Sequence, residues 1–312
     1  MDTNIEKTNV SSEKRLGVRN LKRRKLTYKQ QQRVVIAVCL GIPLLLLLVF
    51  TYLPVLNMFM YSFTKWNGFS TTKEFVGLEN YITIFNNPEY FSVFKNSLYY
   101  FGSALVQIAL ALYFAVILST EVKGKNFFKG ALFFPYLING VAISFIFMIF
   151  FRPDGTLDTV LRSFGLDSLI TKWLGNPDVI NYSLAGTSLW RYMGFNFIIF
   201  FGVIQSIPKD IYEAAGIDGA NAWAKFRYII IPNIKLVLEI NILLAVNGAI
   251  SAFEIPYIMT GGGNGSMTFI IQTLETAFTH NKVGLASAMG IVLMCIVLVV
   301  TGIQRKFFGG DN

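Results

Sequence analysis

The chain has 312 residues, of which 54% are hydrophobic and only 14% charged, with 29 phenylalanines and a mean hydropathy of +0.52. A water-exposed surface could not accommodate that much aromatic carbon, which excludes a soluble protein. The net charge of +9 would suit nucleic acid, yet the basic residues sit at segment ends and in a tail, with no RNP, helix-turn-helix or zinc pattern beside them.

Residues 1–33 are polar and basic, with Lys22, Arg23, Arg24 and Lys25 at the centre and Arg33 at the end. Such a cluster reads as a solvated tail that holds the first helix in orientation. Its length is too great for an ordinary signal peptide, so no cleavage is expected. Six apolar segments follow, at about 34–62, 97–119, 129–151, 183–206, 234–258 and 283–304. Each is near the ~20 residues that cross a ~30 Å hydrocarbon core. Cys39 and Cys295 fall inside these segments and form no CxxC pair, so neither a metal site nor a disulfide framework is expected.

The loop between the first two segments, Lys65 to Lys95, is aromatic but too polar to span. If the N-terminus is inside, 19 of the 27 lysines and arginines face the cytosol and 8 face out. That asymmetry favours both termini inside. The third segment carries Pro135, Asn139 and Gly140, and the sixth has the small residues Ala286 and Gly290 four apart, suited to close helix packing.

The long polar insert between the fourth and fifth segments, Ile207 to Pro232, has the spacing of two short helices. Pro208 suits a helix start, and Asp210 places negative charge near the positive end of the dipole. Ile211, Tyr212 and Ala215 share a face. Gly219 supplies the chain reversal. A second short helix is expected next, with Ala222, Phe226, Ile229 and Ile230 on one side, and Pro232 opening the next apolar run.

Within that insert, Glu213-Ala214-Ala215, then Gly219, then Ile229, Ile231 and Pro232 fit the pattern EAA-xxx-G-x9-I-x-L-P, with Ile231 where leucine is usual. This resembles the EAA motif of ABC importer permeases. Asp218 and Ala220, which complete the run DGA, resemble the carbohydrate-uptake branch. The VGLENY and NNPEYF of the first loop and the TGGGNGSMT before the sixth segment resemble the external loops of the MalF-like permeases, with Asn264 where proline is common. The resemblance covers about Val34 to Phe308.

It implies an all-α membrane protein of six transmembrane helices with the type I ABC importer permease fold. Residues 34–308 form the permease domain, between the 1–33 tail and a short 309–312 tail. The cytosolic loop at 207–232 would couple to an ATPase through Glu213, Ala214, Ala215, Asp218, Gly219, Ile229 and Pro232. The implied partners are a second, MalG-like permease, two ABC ATPase subunits, an extracytoplasmic sugar-binding protein and the lipid of a prokaryotic plasma membrane, and no nucleic acid. No cofactor is expected in this chain; ATP and magnesium would be used by the partner ATPase.

The chain's own chemistry agrees with a non-enzymatic role. His280 stands alone in a loop, and Gly261-Gly262-Gly263-Asn264-Gly265 lacks the lysine of a phosphate-binding loop. A secondary transporter would place ionisable groups near the bilayer midplane. Here Glu239 and Glu254 lie toward opposite ends of the fifth segment and Arg191 toward the outer part of the fourth, with no central acidic pair. A membrane scaffold would explain six helices but not the Glu213–Pro232 pattern.

For a substrate path, the fourth segment offers Ser188, Trp190, Tyr192, Phe195 and Asn196, and the fifth Asn247, Gly248, Ser251 and Glu254. The spacings put Ser188, Tyr192, Phe195 and Asn196 on one broad face, and Asn247, Ser251 and Glu254 on another, with Gly248 beside them leaving room. Amides and hydroxyls suit sugar hydroxyls, and aromatic faces suit sugar C–H surfaces. The bland alternative is hydrogen bonding between helices, at about 0.6 kcal/mol per bond. A sugar, in particular an oligosaccharide, is the expected cargo; glycerol phosphate or another polar solute stays open.

Overall fold

The structure, a computed structural model, describes residues 27–308. The Lys22–Lys25 cluster, most of the 1–33 tail and the 309–312 tail lie outside the described residues. The chain divides into two compact units, one ending at Pro54 and the other beginning at Val55.

In the first unit, α1 (Tyr28–Leu47) buries none of its residues, and a π-helical turn follows at Leu48–Tyr52. The turn has a local cause. Pro54 has no N–H to give the carbonyl four residues back, so the ladder opens just before it. The helix resumes as α2 (Leu53–Tyr61).

The second unit continues with a short antiparallel pair, β1 (Thr64–Lys65) and β2 (Glu74–Phe75), in the register Thr64 opposite Phe75. Two small helices, α3 (Glu79–Asn86) and α4 (Glu89–Ser92), lead into the long α5 (Phe94–Ser119). The third apolar segment is not one rod. It forms α6 (Lys125–Leu137) and α7 (Gly140–Phe150), bent by 98°. The expected continuous span at 129–151 is corrected here. Pro135 withholds a hydrogen bond from the last turn of α6, Ile138 is extended, and the Asn139 side chain accepts from Val141 N at 2.8 Å to start a new helix. After α8 (Thr156–Ser163) comes α9 (Ile180–Ser206).

The polar insert holds α10 (Lys209–Ile217) and α11 (Ala222–Lys225). A π-helical turn at Phe226–Ile230 joins α11 directly to α12 (Ile231–Ile250). Two expectations change. The second short helix is not separate from the fifth span but is its first turn, and Ala222 is exposed. The fifth span reaches Thr260, past the expected 258, but it is not one unbroken helix: it unwinds after Ile250 and restarts as α13 (Glu254–Thr260). Pro232 sits at the start of α12 without interrupting the rod, because the π turn absorbs its missing donor. Last come α14 (Phe269–Leu274), a π-helical turn at Glu275–Thr279, and α15 (Val283–Phe308). Among the described residues, five helices are thus long and apolar enough to cross a membrane, or six when the bent pair α6–α7 is counted as one span.

The largest core cluster joins α5, α9 and α12. Ile108, Ala111, Ala115 and Leu118 recur at spacings of three and four along α5 and meet Phe197, Phe200 and Ile204 of α9 and Ile234 of α12. Lipid tails are as apolar as these side chains, so close packing rather than removal from water holds the helices together. At Gly194, α9 approaches α6 so closely that a Cβ would stand 2.7 Å from Phe133 Cα and against the Leu132 carbonyl oxygen. The loops at one end of this unit are stitched by amides. Asn96 Nδ2 donates to the carbonyls of Gly265 (2.9 Å) and Met267 (2.8 Å). Asn181 Nδ2 also reaches Gly265 O (3.1 Å), and Asn264 Nδ2 reaches Leu174 O (3.0 Å).

Candidate functional site

A cavity of about 490 Å³ lies between α5, α9, α12 and the break that leads into α13. Its walls are laid out by helix periodicity. From α5 come Tyr100, Ser103 and Gln107; from α9, Ser188, Tyr192, Phe195 and Asn196; from α12, Asn241 and Gly248; and from the break, Ser251 and Glu254. Ala104, Ala245, Gly248, Ala249 and Ala252 also line it, and their small size leaves the space. A Cβ on Gly248 would meet nothing within 4 Å.

The polar groups on this wall are held but not all satisfied. Asn241 Nδ2 donates to Val237 O at 2.8 Å, while its Oδ1 is buried without a partner among the described residues. The Tyr100 hydroxyl is in the same position. A buried polar atom without a partner costs about 1–3 kcal/mol. The aromatic side is braced from outside the cavity: Tyr136 of α6 packs on Phe195 with ring centroids 4.9 Å apart and on Tyr192 at 6.3 Å.

Seven of the nine substrate-path residues expected from the sequence therefore share one cavity: Ser188, Tyr192, Phe195, Asn196, Gly248, Ser251 and Glu254. Two do not. Trp190 packs its ring on Phe147, with centroids 5.3 Å apart, away from the wall. Asn247 turns toward α15, where its Oδ1 accepts from Thr301 Oγ1 at 3.2 Å. The shared face drawn through 247, 251 and 254 assumed an unbroken helix, and the helix ends at Ile250. Four polar wall residues escaped the sequence reading: Tyr100, Ser103, Gln107 and Asn241. Their signal was present in α5, where Asn96, Tyr100, Ser103 and Gln107 form a polar stripe at spacings of four, three and four within an apolar helix.

The two charged groups that the sequence left apart are in fact paired. Arg191 Nη1 donates to Glu254 Oε2. The guanidinium also lies over the Tyr192 ring, 4.9 Å from its centroid. Gly140, the first residue of α7, is pressed against this pair: a Cβ there would collide with Arg191 Nη1 and with the Glu254 carboxylate. The breaks in the third and fifth spans meet at one ion pair.

The Ile207–Pro232 insert forms a second candidate region. Pro208 precedes α10, with Asp210 in its first turn. Glu213, Ala214, Asp218 and Gly219 are exposed, while Ala215 is half-buried. Gly219 has φ of +78°, the left-handed turn that glycine makes at little cost. The Asn221 side chain then caps α11 by accepting from Ala224 N at 2.8 Å. Ile229 is half-buried and Pro232 exposed. Tyr212 packs inward, and burial pushes its hydroxyl pKa up.

Residues 21–308 match the family described as the binding-protein-dependent transport system inner membrane component. Among curated relatives, the probable ABC transporter permease protein YurN of Bacillus subtilis (strain 168) is 33% identical over 273 residues, 86% of this chain and 94% of its own length. The arabinooligosaccharides transport system permease protein AraP of the same organism is 33% identical, covering 84% of each chain. The trehalose/maltose transport system permease protein MalF of Thermococcus litoralis is 31% identical, covering 85% of this chain and 90% of its own. In fold, the chain is similar to one from a bacterial ABC transporter involved in the import of the acidic polysaccharide alginate. The TM-score is 0.77 at 19% identity, over 90% of this chain and 97% of that one. The chain belongs to the binding-protein-dependent transport system inner membrane component family.

Proposed function

We propose that the chain is one of two permease subunits of a prokaryotic oligosaccharide importer and that the α5–α9–α12 cavity is its half of the sugar path. The observation that carries this reading is the wall chemistry: amides at Gln107, Asn196 and Asn241, hydroxyls at Ser103, Ser188 and Tyr100, and aromatic faces at Tyr192 and Phe195. The volume falls in the range of about 300–1,000 Å³ usual for small-molecule sites. Relatives named for arabinooligosaccharides, multiple sugars and trehalose/maltose support it.

In this reading the insert at 207–232 lies in the cytosol, as do both termini, and an ATPase docks on the exposed side of α10 around Glu213. A second, MalG-like permease completes the path, two ATPase subunits bind below, and an extracytoplasmic binding protein delivers the sugar. A solved alginate ABC transporter in complex with its pentasaccharide-bound periplasmic protein offers the parallel for that delivery. ATP and magnesium act in the partner ATPase; this chain turns closure of that dimer into helix motion. The cavity then alternates between the two sides of the membrane.

The test is sugar uptake by the reconstituted complex carrying Gln107→Ala with Asn196→Ala. Each lost hydrogen bond is worth about 0.5–1.5 kcal/mol, so the pair should weaken uptake affinity by about 5- to 150-fold while assembly is preserved. Unchanged affinity and sugar preference in an assembled complex would place the sugar elsewhere.

A further inference from the structure

Of the residues on the cavity wall, Glu254 is the one with a formal charge. Its side chain is 39% exposed, and the cation that answers it, Arg191, is 12% exposed and is not itself on the wall. Arg191 is held tightly. Its guanidinium is pinned between Glu254 and the Tyr192 ring, and Gly140 leaves no room for a side chain beside the pair. Its Nε is buried without a partner among the described residues. The guanidinium therefore has donor capacity left over, but the carboxylate on the wall cancels its field there.

Resting on the reading of this cavity as a sugar path, we propose that Glu254 sets the charge class of the cargo. With Arg191 paired, the wall is electrically neutral and accepts uncharged oligosaccharides. It disfavours uronates and phosphorylated sugars, because an anion brought up to the 39%-exposed Glu254 carboxylate meets like charge, and no free cation on the wall compensates. An Arg–carboxylate pair is the strongest charge-assisted contact available to an acidic sugar, and here Glu254 already occupies it.

The experiment is equilibrium binding to the assembled permease–ATPase complex in nanodiscs, without binding protein, so that the cavity alone selects. The neutral probes are trehalose, maltose and arabinotriose. The acidic probe is the C6-carboxylate analogue of whichever of these binds most tightly. The wild type should prefer the neutral sugar. Glu254→Gln, which keeps shape but frees Arg191, should move the acidic-to-neutral affinity ratio at least tenfold toward the acid, about 1.4 kcal/mol. Glu254→Asp should keep the wild-type preference, and Arg191→Gln combined with Glu254→Gln should lose the gain for the acid. Arg191→Gln alone gives an independent arm: it leaves an uncompensated carboxylate and should raise binding of the matching amino sugar. An unchanged ratio in Glu254→Gln, with the neutral sugar still bound, overturns the proposal and leaves the sugar path standing. Failure of all three neutral probes to bind the wild type overturns both.

Discussion

The close approach of α9 to α6 gives a prediction whose size can be worked from coordinates. In Gly194→Ala the new methyl would stand 2.7 Å from Phe133 Cα and closer still to the Leu132 carbonyl oxygen. That is more than half an ångström inside ordinary contact, and both obstacles are backbone, which cannot rotate away. The two helices must move apart. Overpacking costs typically about 1–3 kcal/mol, and a backbone obstacle puts this site at the upper end. Replacing a helical glycine with alanine recovers at most about 1 kcal/mol, so a net loss near 2 kcal/mol is expected. Gly202→Ala, in the same helix, is the control: nothing lies within 4 Å of its Cβ, and only the propensity gain should remain. The assay is thermal unfolding of the purified protein in one detergent, followed by fluorescence-detected gel filtration, alongside uptake by the reconstituted complex. Gly194→Ala should melt well below the wild type and Gly202→Ala at or above it. Because Tyr192, Phe195 and Asn196 flank position 194, the displaced helix should also raise the KM for uptake. Equal melting of the two variants would refute the reasoning from close approach.

Gly219→Val should distort the left-handed turn in the 207–232 insert, and Glu213→Lys should reverse charge on its exposed face; both should leave the protein in the membrane but weaken co-purification of the ATPase, whereas wild-type binding in both removes the docking role. Cysteines at Thr72 and Gly263 should react with an impermeant maleimide in intact cells, and one at Ala222 only after permeabilisation; labelling of Ala222→Cys in intact cells inverts the orientation. Asn96→Ala strips donors from the Gly265 and Met267 carbonyls and should cost about 1–3 kcal/mol, read as faster proteolysis of the 261–268 loop; an unchanged digestion rate would show that the loop is held by other contacts.

Much of this architecture was legible because membrane segments announce themselves by unbroken apolar length, and because Pro208, Asp210 and Gly219 carry local rules that need no tertiary context. What escaped depended on backbone interruptions. Pro135, Asn139 and Gly140 stand out in the third segment, but composition alone does not reveal that the chain turns by 98° there. The face through Asn247, Ser251 and Glu254 failed because nothing in Ser251-Ala252-Phe253 is a strong breaker; no glycine or proline marks the end of α12. Trp190 and Tyr192 are two apart on one helix and so point to different sides, and periodicity cannot say which side is occupied by a neighbour. The Arg191–Glu254 pair joins residues from different spans, 63 positions apart, beyond the reach of any local spacing rule.

The continuity of α11, the π turn and α12 has a mechanical meaning. From Ala222 to Ile250 the backbone is one stiff lever, about 40 Å long at about 1.5 Å per residue. Its outer end carries Trp223, which is 69% exposed, and its inner end carries Gly248 and Ala249 on the cavity wall. With the pivot beside the inner end, a tilt of a few degrees moves the exposed end by about 2–3 Å over that length and leaves the wall residues nearly in place. The unwound residues 251–253 then act as the pivot pin, letting the lever swing while α13 stays clamped through Glu254.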